Sequence, residues 1–165
     1  MKKNLILGSM ILLLGFSGSA VRAGDCIVGF WFGSPKIEQQ TEAYGLRLGL
    51  PGSSGGPVNL SGMECSIFCS STQWLDGFQL TLCGPALAGN VRGLQISLYN
   101  RVRQNIDGVQ VGVVNGSDDQ ADLQFGVVNY ARKNAAFQLG LININPGGFL
   151  PFFIIFNFGN LNDAN

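Results

Sequence analysis

Four stretches decide the fold: GLQISLYN (Gly93–Asn100), GVQVGVVN (Gly108–Asn115), DLQFGVVN (Asp122–Asn129) and FQLGLIN (Phe137–Asn143). Aligned on glutamine, with an earlier unit at Gln79, they place Gln79, Gln95, Gln110, Gln124 and Gln138 at short, nearly even steps that tighten slightly along the chain. Each glutamine stands between two apolar residues, such as Leu94 and Ile96 or Val109 and Val111. Two positions on comes a small residue (Thr81, Ser97, Gly112, Gly126, Gly140), and five positions on the last four units carry Asn100, Asn115, Asn129 and Asn143. A weaker copy, YGLRLGL (Tyr44–Leu50), puts Arg47 at the glutamine position, two unit lengths before Gln79. Self-similarity at a fixed short period marks a repeat architecture.

The unit is a strand. Leu94, Ile96 and Leu98 share one face by the period-2 rule, and Gln95, Ser97 and Tyr99 share the other. Between units lie RQNIDG (Arg103–Gly108), GSDDQ (Gly116–Gln120) and ARKN (Ala131–Asn134), rich in the residues that tight turns use. Two all-β architectures follow: an antiparallel β-meander closing into a small barrel of about eight strands, and a β-solenoid with one unit per rung. The shared asparagine position suits a solenoid ladder. The shrinking step between glutamines suits hairpins, whose loops vary in length more freely than rungs do. The meander and barrel are the expectation, since closure also removes exposed edges. The glutamines then face water or a lumen, and the Leu/Ile/Val triplets face lipid or a protein core. Further strands are expected at 27–32, 44–50, 58–63 and, after the NPGG turn (Asn145–Gly148), in FLPFFIIFNFG (Phe149–Gly159). A short helix is conceivable in SIFCSSTQWL (Ser66–Leu75).

The start of the chain reads as an export signal: Lys2 and Lys3, an apolar run from Leu5 to Phe16, and a Val21-Arg22-Ala23 cleavage site. Residues 1–23 are thus expected to be a signal peptide, 24–159 a single β-repeat domain with its glutamine-centred repeats over about 76–145, and 160–165 a flexible tail. Asp25 stands where a lipobox before Cys26 needs a small residue. Without Lys2, Lys3 and Arg22, the ten Lys+Arg fall to seven against ten Asp+Glu, a net charge of about −3. That mild balance gives no reason to expect a nucleic-acid partner. Charged residues make up 12% of the chain, about half the usual share for a soluble domain. Four cysteines (Cys26, Cys65, Cys69 and Cys83) in an exported chain predict two disulfides of unspecified pairing.

The chain contains no histidine, which removes Ser-His-Asp and Cys-His catalysis and most zinc centres. Asp118, Asp119 and Asp122 cluster in one turn with the oxygen chemistry of a calcium site, but their spacing matches no EF-hand loop, and a solvated turn is expected. No catalytic residue, cofactor or metal is expected.

The tandem units GLQISLYN, GVQVGVVN and LQFGVVNYA, closed by LPFFIIFNFG, resemble a family of bacterial surface-repeat proteins over roughly Asp76–Gly159, about half of the chain. The resemblance implies an envelope or surface location and a repeat architecture; the family has no agreed biochemical activity. The expected function is therefore that of a non-enzymatic cell-envelope protein at the outer membrane or cell surface, with membrane lipid or envelope components as partners. The alternative is a soluble periplasmic or secreted binding or adhesion module.

Overall fold

Alternating apolar and polar residues with frequent β-branching extend the chain, and corner residues such as Gly112 and Gly126 bend it every few residues. The result is thirteen strands among the described residues. The computed structural model describes residues 26–32, 41–49, 52–54 and 58–159; the proposed signal peptide, the Cys26 side chain and the 160–165 tail lie outside what it describes. The strands are β1 (Cys26–Phe32), β2 (Thr41–Gly49), β3 (Gly52–Ser54), β4 (Val58–Ser66), β5 (Cys69–Thr81), β6 (Pro85–Ile96) and β7 (Tyr99–Val102). They continue as β8 (Ile106–Val111), β9 (Val114–Ser117), β10 (Gln120–Phe125), β11 (Val128–Ala131), β12 (Asn134–Ile144) and β13 (Phe152–Phe158).

Every pairing from β1 to β12 is parallel. The fold is therefore a β-solenoid, and the expected antiparallel meander and barrel are not formed. Each coil has a glutamine arm, a corner, an asparagine arm and a polar turn leading to the next coil. One wall stacks β8, β10 and the first part of β12 on the second part of β6. The other stacks β7, β9, β11 and the end of β12 on the start of β6. The stretch 66–75, where a short helix was conceivable, is a corner followed by β5. Among the described strands only β13 runs antiparallel, laid back over β12.

The later part of the drift in repeat length, between Gln110 and Gln124, has a specific backbone cause. Gly45, Gly62, Gly77, Gly93 and Gly108 all have positive φ and stack in one column. A Cβ on Gly108 would lie 2.0 Å from the Gly93 carbonyl oxygen, so only glycine fits there. In the next coil the register slips between Ala121 and Leu123, and the glycine is missing. Leaving out that one residue shortens the coil by one without moving either ladder out of line.

The glutamines face neither water nor a lumen, and the assignment expected for a soluble sheet is reversed. Gln79, Gln95, Gln110, Gln124 and Gln138 are fully buried between the two walls, as are Asn100, Asn115, Asn129 and Asn143. Leu98, Val113, Val127 and Leu141 stand at the outer corner, 51%, 46%, 43% and 65% exposed. The apolar part of the interior lies towards the polar turn, where Val91, Val102, Ile106, Ala121, Ala131 and Ala135 form one cluster with Leu60 and Leu75.

Candidate functional site

Parallel in-register stacking places like residues above one another, so each glutamine meets the glutamine of the next coil. Gln95 Nε2 donates to Gln79 Oε1 at 2.7 Å, Gln110 to Gln95 at 2.8 Å, Gln124 to Gln110 at 2.8 Å and Gln138 to Gln124 at 2.7 Å. The spare amide hydrogen reaches across to the opposite wall: Gln124 Nε2 to Tyr130 O at 3.1 Å and Gln138 Nε2 to Ile144 O at 3.2 Å. A buried amide without partners would be costly, and the ladder removes that cost.

The asparagines form a second ladder of opposite sense. Asn100, Asn115 and Asn129 each donate from Nδ2 to the Oδ1 of the next asparagine at 2.8 Å. The same Nδ2 groups also donate to the corner carbonyls of Val111, Phe125 and Leu139. Gly112, Gly126 and Gly140 leave room for this contact: a Cβ on Gly126 or Gly140 would lie 2.6 Å from the amide nitrogen of Asn115 or Asn129. Gly112 and Gly126 sit at corners between the two arms, and Gly140 lies inside β12 at the equivalent position.

The glutamine ladder ends on a buried charge pair that the repeat pattern shows only in part. Arg47, Glu64 and Gln79 are in register. Gln79 Nε2 donates to Glu64 Oε2 at 2.7 Å, and Arg47 Nη1 lies 3.2 Å from Glu64 Oε1. Ser53 and Thr72 donate their hydroxyls to the same carboxylate. Burial lowers the Arg47 pKa, and Glu64 opposes that shift. The missed coil is visible in Gly62-Met63-Glu64-Cys65-Ser66, which matches Gly93-Leu94-Gln95-Ile96-Ser97 with glutamate for glutamine.

The aspartate turn is taken up by ion pairs. Arg101 Nη2 meets Asp118 Oδ1 at 2.8 Å, and Lys133 Nζ meets Asp119 Oδ1 at 2.7 Å, each tying adjacent coils. Asp122 is exposed and sits near Asp107; partial desolvation and then the Asp107 charge raise its pKa, opposed by a hydrogen bond from the Gly108 backbone. Asp76, Arg92 and Asp107 line up in register on the same outer face. Among the described residues no group of three or more His, Cys, Asp or Glu side chains could hold a metal ion.

The expected disulfides are not formed among the described cysteines: Cys65, Cys69 and Cys83 are free thiols. Stacking explains this, because Cys65 is in register with Leu80 and Cys69 with Gly52, so neither meets another cysteine in the adjacent coil.

The surface is divided by chemistry. On its apolar side each coil presents residues such as Ile96, Leu98 and Tyr99, or Val111, Val113 and Val114, with no charge among them. From residue 76 to 159 the charges all lie at or next to the polar turns: five basic residues (Arg92, Arg101, Arg103, Arg132, Lys133) and five acidic (Asp76, Asp107, Asp118, Asp119, Asp122). The backbone beneath the apolar corner is bonded from coil to coil, as in Val127 N to Val113 O at 3.0 Å and Ile142 N to Val127 O at 2.9 Å. No helix among the described residues is long and apolar enough to cross a membrane, which says nothing of strands. No family model, no curated protein and no solved structure matches this chain.

Proposed function

We propose that the chain is an exported, non-enzymatic envelope protein whose solenoid lies on a lipid bilayer with its apolar corner in the acyl boundary. The observation that carries this reading is the exposed column Leu98, Val113, Val127 and Leu141, set opposite a charged edge. Contiguous exposed apolar surface on a soluble monomer is uncommon and marks a contact. The corner is a convex ridge with paired backbone, so it can enter hydrocarbon without leaving unsatisfied N–H or C=O groups there. The two polar ladders lie behind this ridge, sealed from lipid by the corner itself.

The balance of five basic and five acidic residues at the polar turns provides no electrostatic steering towards anionic headgroups. Attachment is therefore hydrophobic. The processed chain should float with neutral phosphatidylcholine vesicles, equally well with anionic lipid added, and retain binding at ~0.5 M salt, where surface charges are screened. Val113→Asp with Val127→Asp should abolish flotation while leaving the β-sheet circular dichroism intact. Binding that needs anionic lipid, or that survives these substitutions, overturns the reading. So does fractionation as a soluble periplasmic or secreted protein that never floats, which would favour the binding-module alternative.

A further inference from the structure

We propose that a cleft at the polar turns, centred on Gly89, binds an acidic saccharide, a sugar bearing a carboxylate such as a uronate. The cleft measures about 490 Å³, within the ~300–1,000 Å³ of small-molecule pockets. It runs across three coils, from β5 through β6 to β7 and the turn that follows it. It lies on the charged edge of the solenoid, away from the apolar ridge, so a bilayer under that ridge leaves it open to water.

The middle coil makes the depression. Gly89 stacks so closely on the coil before it that a Cβ there would lie 2.3 Å from the Gln73 carbonyl oxygen. Ala88 and Gly89 form a floor without long side chains, and Gln73, Arg103 and Gln104 stand exposed around it. Leu87, in register between Ser71 and Arg101, adds a half-buried apolar patch. In the later coils the same edge is bridged by Arg101–Asp118 and Lys133–Asp119.

The lining suits a sugar. The amides of Gln73 and Gln104 and the Ser71 hydroxyl can each donate and accept, as sugar hydroxyls require. Leu87 can pack under the C–H face of a ring. The rim is braced without a ligand: Asn90 Nδ2 donates to Gln104 Oε1 at 2.5 Å, and Asn90 Oδ1 accepts from Asn105 N at 3.3 Å. Such preorganisation lowers the cost of binding. Three coils at ~4.8 Å spacing make the cleft roughly 10 Å long, the length of a disaccharide and far more than a bare anion fills.

Charge selects the acid. Among the described residues Arg103 makes no ion pair and no side-chain hydrogen bond. Asp118 engages Arg101 through Nη2 alone, at 2.8 and 3.0 Å, which holds that side chain at the wall without occupying its whole fork. Two guanidinium charges less one carboxylate leave a single positive charge. That matches a carboxylate, which a guanidinium fork grips well, better than a phosphate monoester with about two negative charges.

Isothermal titration with digalacturonate tests this, using the processed chain in a polyoxyethylene detergent that has no sugar headgroup. Saturable one-to-one binding is expected, at least ~10-fold tighter than for the neutral disaccharide galactobiose or for inorganic phosphate. Arg103→Ala, at an exposed position, should weaken it at least ~10-fold by removing a charge-assisted contact. Ser71→Trp should block it by filling the cleft; if that variant does not fold, the arginine variants still decide. Arg132→Ala, an exposed basic position on a later coil, should leave the affinity within ~2-fold. No saturable binding by ~10 mM digalacturonate, equal affinity for phosphate or galactobiose, or an Arg103→Ala effect no larger than that of Arg132→Ala overturns the proposal.

Discussion

Gln110 Nε2 donates to Gln95 Oε1 at 2.8 Å with both side chains fully buried, although each stands between apolar neighbours that face out. A polar side chain takes the inside position because stacking at one coil per repeat supplies a donor and an acceptor for each amide within the stack, leaving only end oxygens such as Gln138 Oε1 and Asn100 Oδ1 without partners. The two ladders run in opposite senses, glutamine amides pointing to the previous coil and asparagine amides to the next. Their amide dipoles therefore oppose one another across the interior.

Replacing Gln110 breaks the ladder in two places. Gln110→Leu leaves Gln95 Oε1 without its donor and Gln124 Nε2 without its ladder acceptor, at a cost of about 2–4 kcal/mol for two buried polar groups. Gln110→Glu should cost more at pH 7, because it buries a carboxylate facing an amide oxygen. Its folded-state pKa must then lie above the unfolded value of about 4.3, so the folded state binds more protons and stability is regained as pH falls. Chemical denaturation at pH 7 and pH 4 measures both effects. Gln110→Glu losing the same stability at both pH values would show that the ladder is not as described.

Both ladders were legible in the sequence as a column of glutamines and a column of asparagines. Their burial was not. Period-2 alternation says which residues share a face, and hydrophobicity then assigns the inside wrongly when amides can satisfy one another along a stack. The choice between meander and solenoid turned on the drift in the glutamine step and on the polar turns, and Gly108 accounts for the shortening between Gln110 and Gln124. A one-residue deletion at a positive-φ bulge shortens a rung without shifting Gln110 against Gln124. The Glu64 coil escaped notice because its ladder residue is an acid and its spacing from Arg47 is longer than in any later unit. The shared glycine at 62, 77, 93 and 108 was the signal that could have found it.

The same bulge makes a deletion milder than a substitution. Gly108→Ala puts a Cβ against the Gly93 carbonyl at a positive φ and should cost about 1–3 kcal/mol. Removing Gly108 altogether produces the shorter coil that follows it in the native chain, and should cost less. Thermal melts of the two variants decide the order, and a deletion less stable than Gly108→Ala would contradict the bulge assignment.

The free thiols should differ in reactivity. Cys83 is exposed, whereas partial burial and then the Glu64 charge raise the Cys65 pKa above its ordinary value of 9.0. The thiolate is the nucleophile, so maleimide at pH 7 should modify Cys83 first and Cys65 last, read by peptide mass spectrometry of the native protein. A raised thiol pKa also means that stability present at neutral pH is lost as pH climbs past the unfolded thiol value. Cys65→Ser should flatten that alkaline decline.

Arg47 and Glu64 offer the sharpest test of what the ladder can tolerate. The pair is 2% and 0% exposed, and breaking a buried pair from one side typically costs about 3–5 kcal/mol because a charge is left alone. Glu64→Gln should therefore be strongly destabilising, even though it supplies the residue found in the next five coils. Arg47→Gln with Glu64→Gln removes both charges and lets the amide ladder extend from Gln79 through two more coils. Such a replacement of a whole buried pair is often neutral or stabilising, so the double variant should recover most of the loss. A double-mutant cycle by urea denaturation measures the coupling. Additive losses would mean that Arg47 and Glu64 act independently, and that the ladder ends at Gln79 for a reason other than charge.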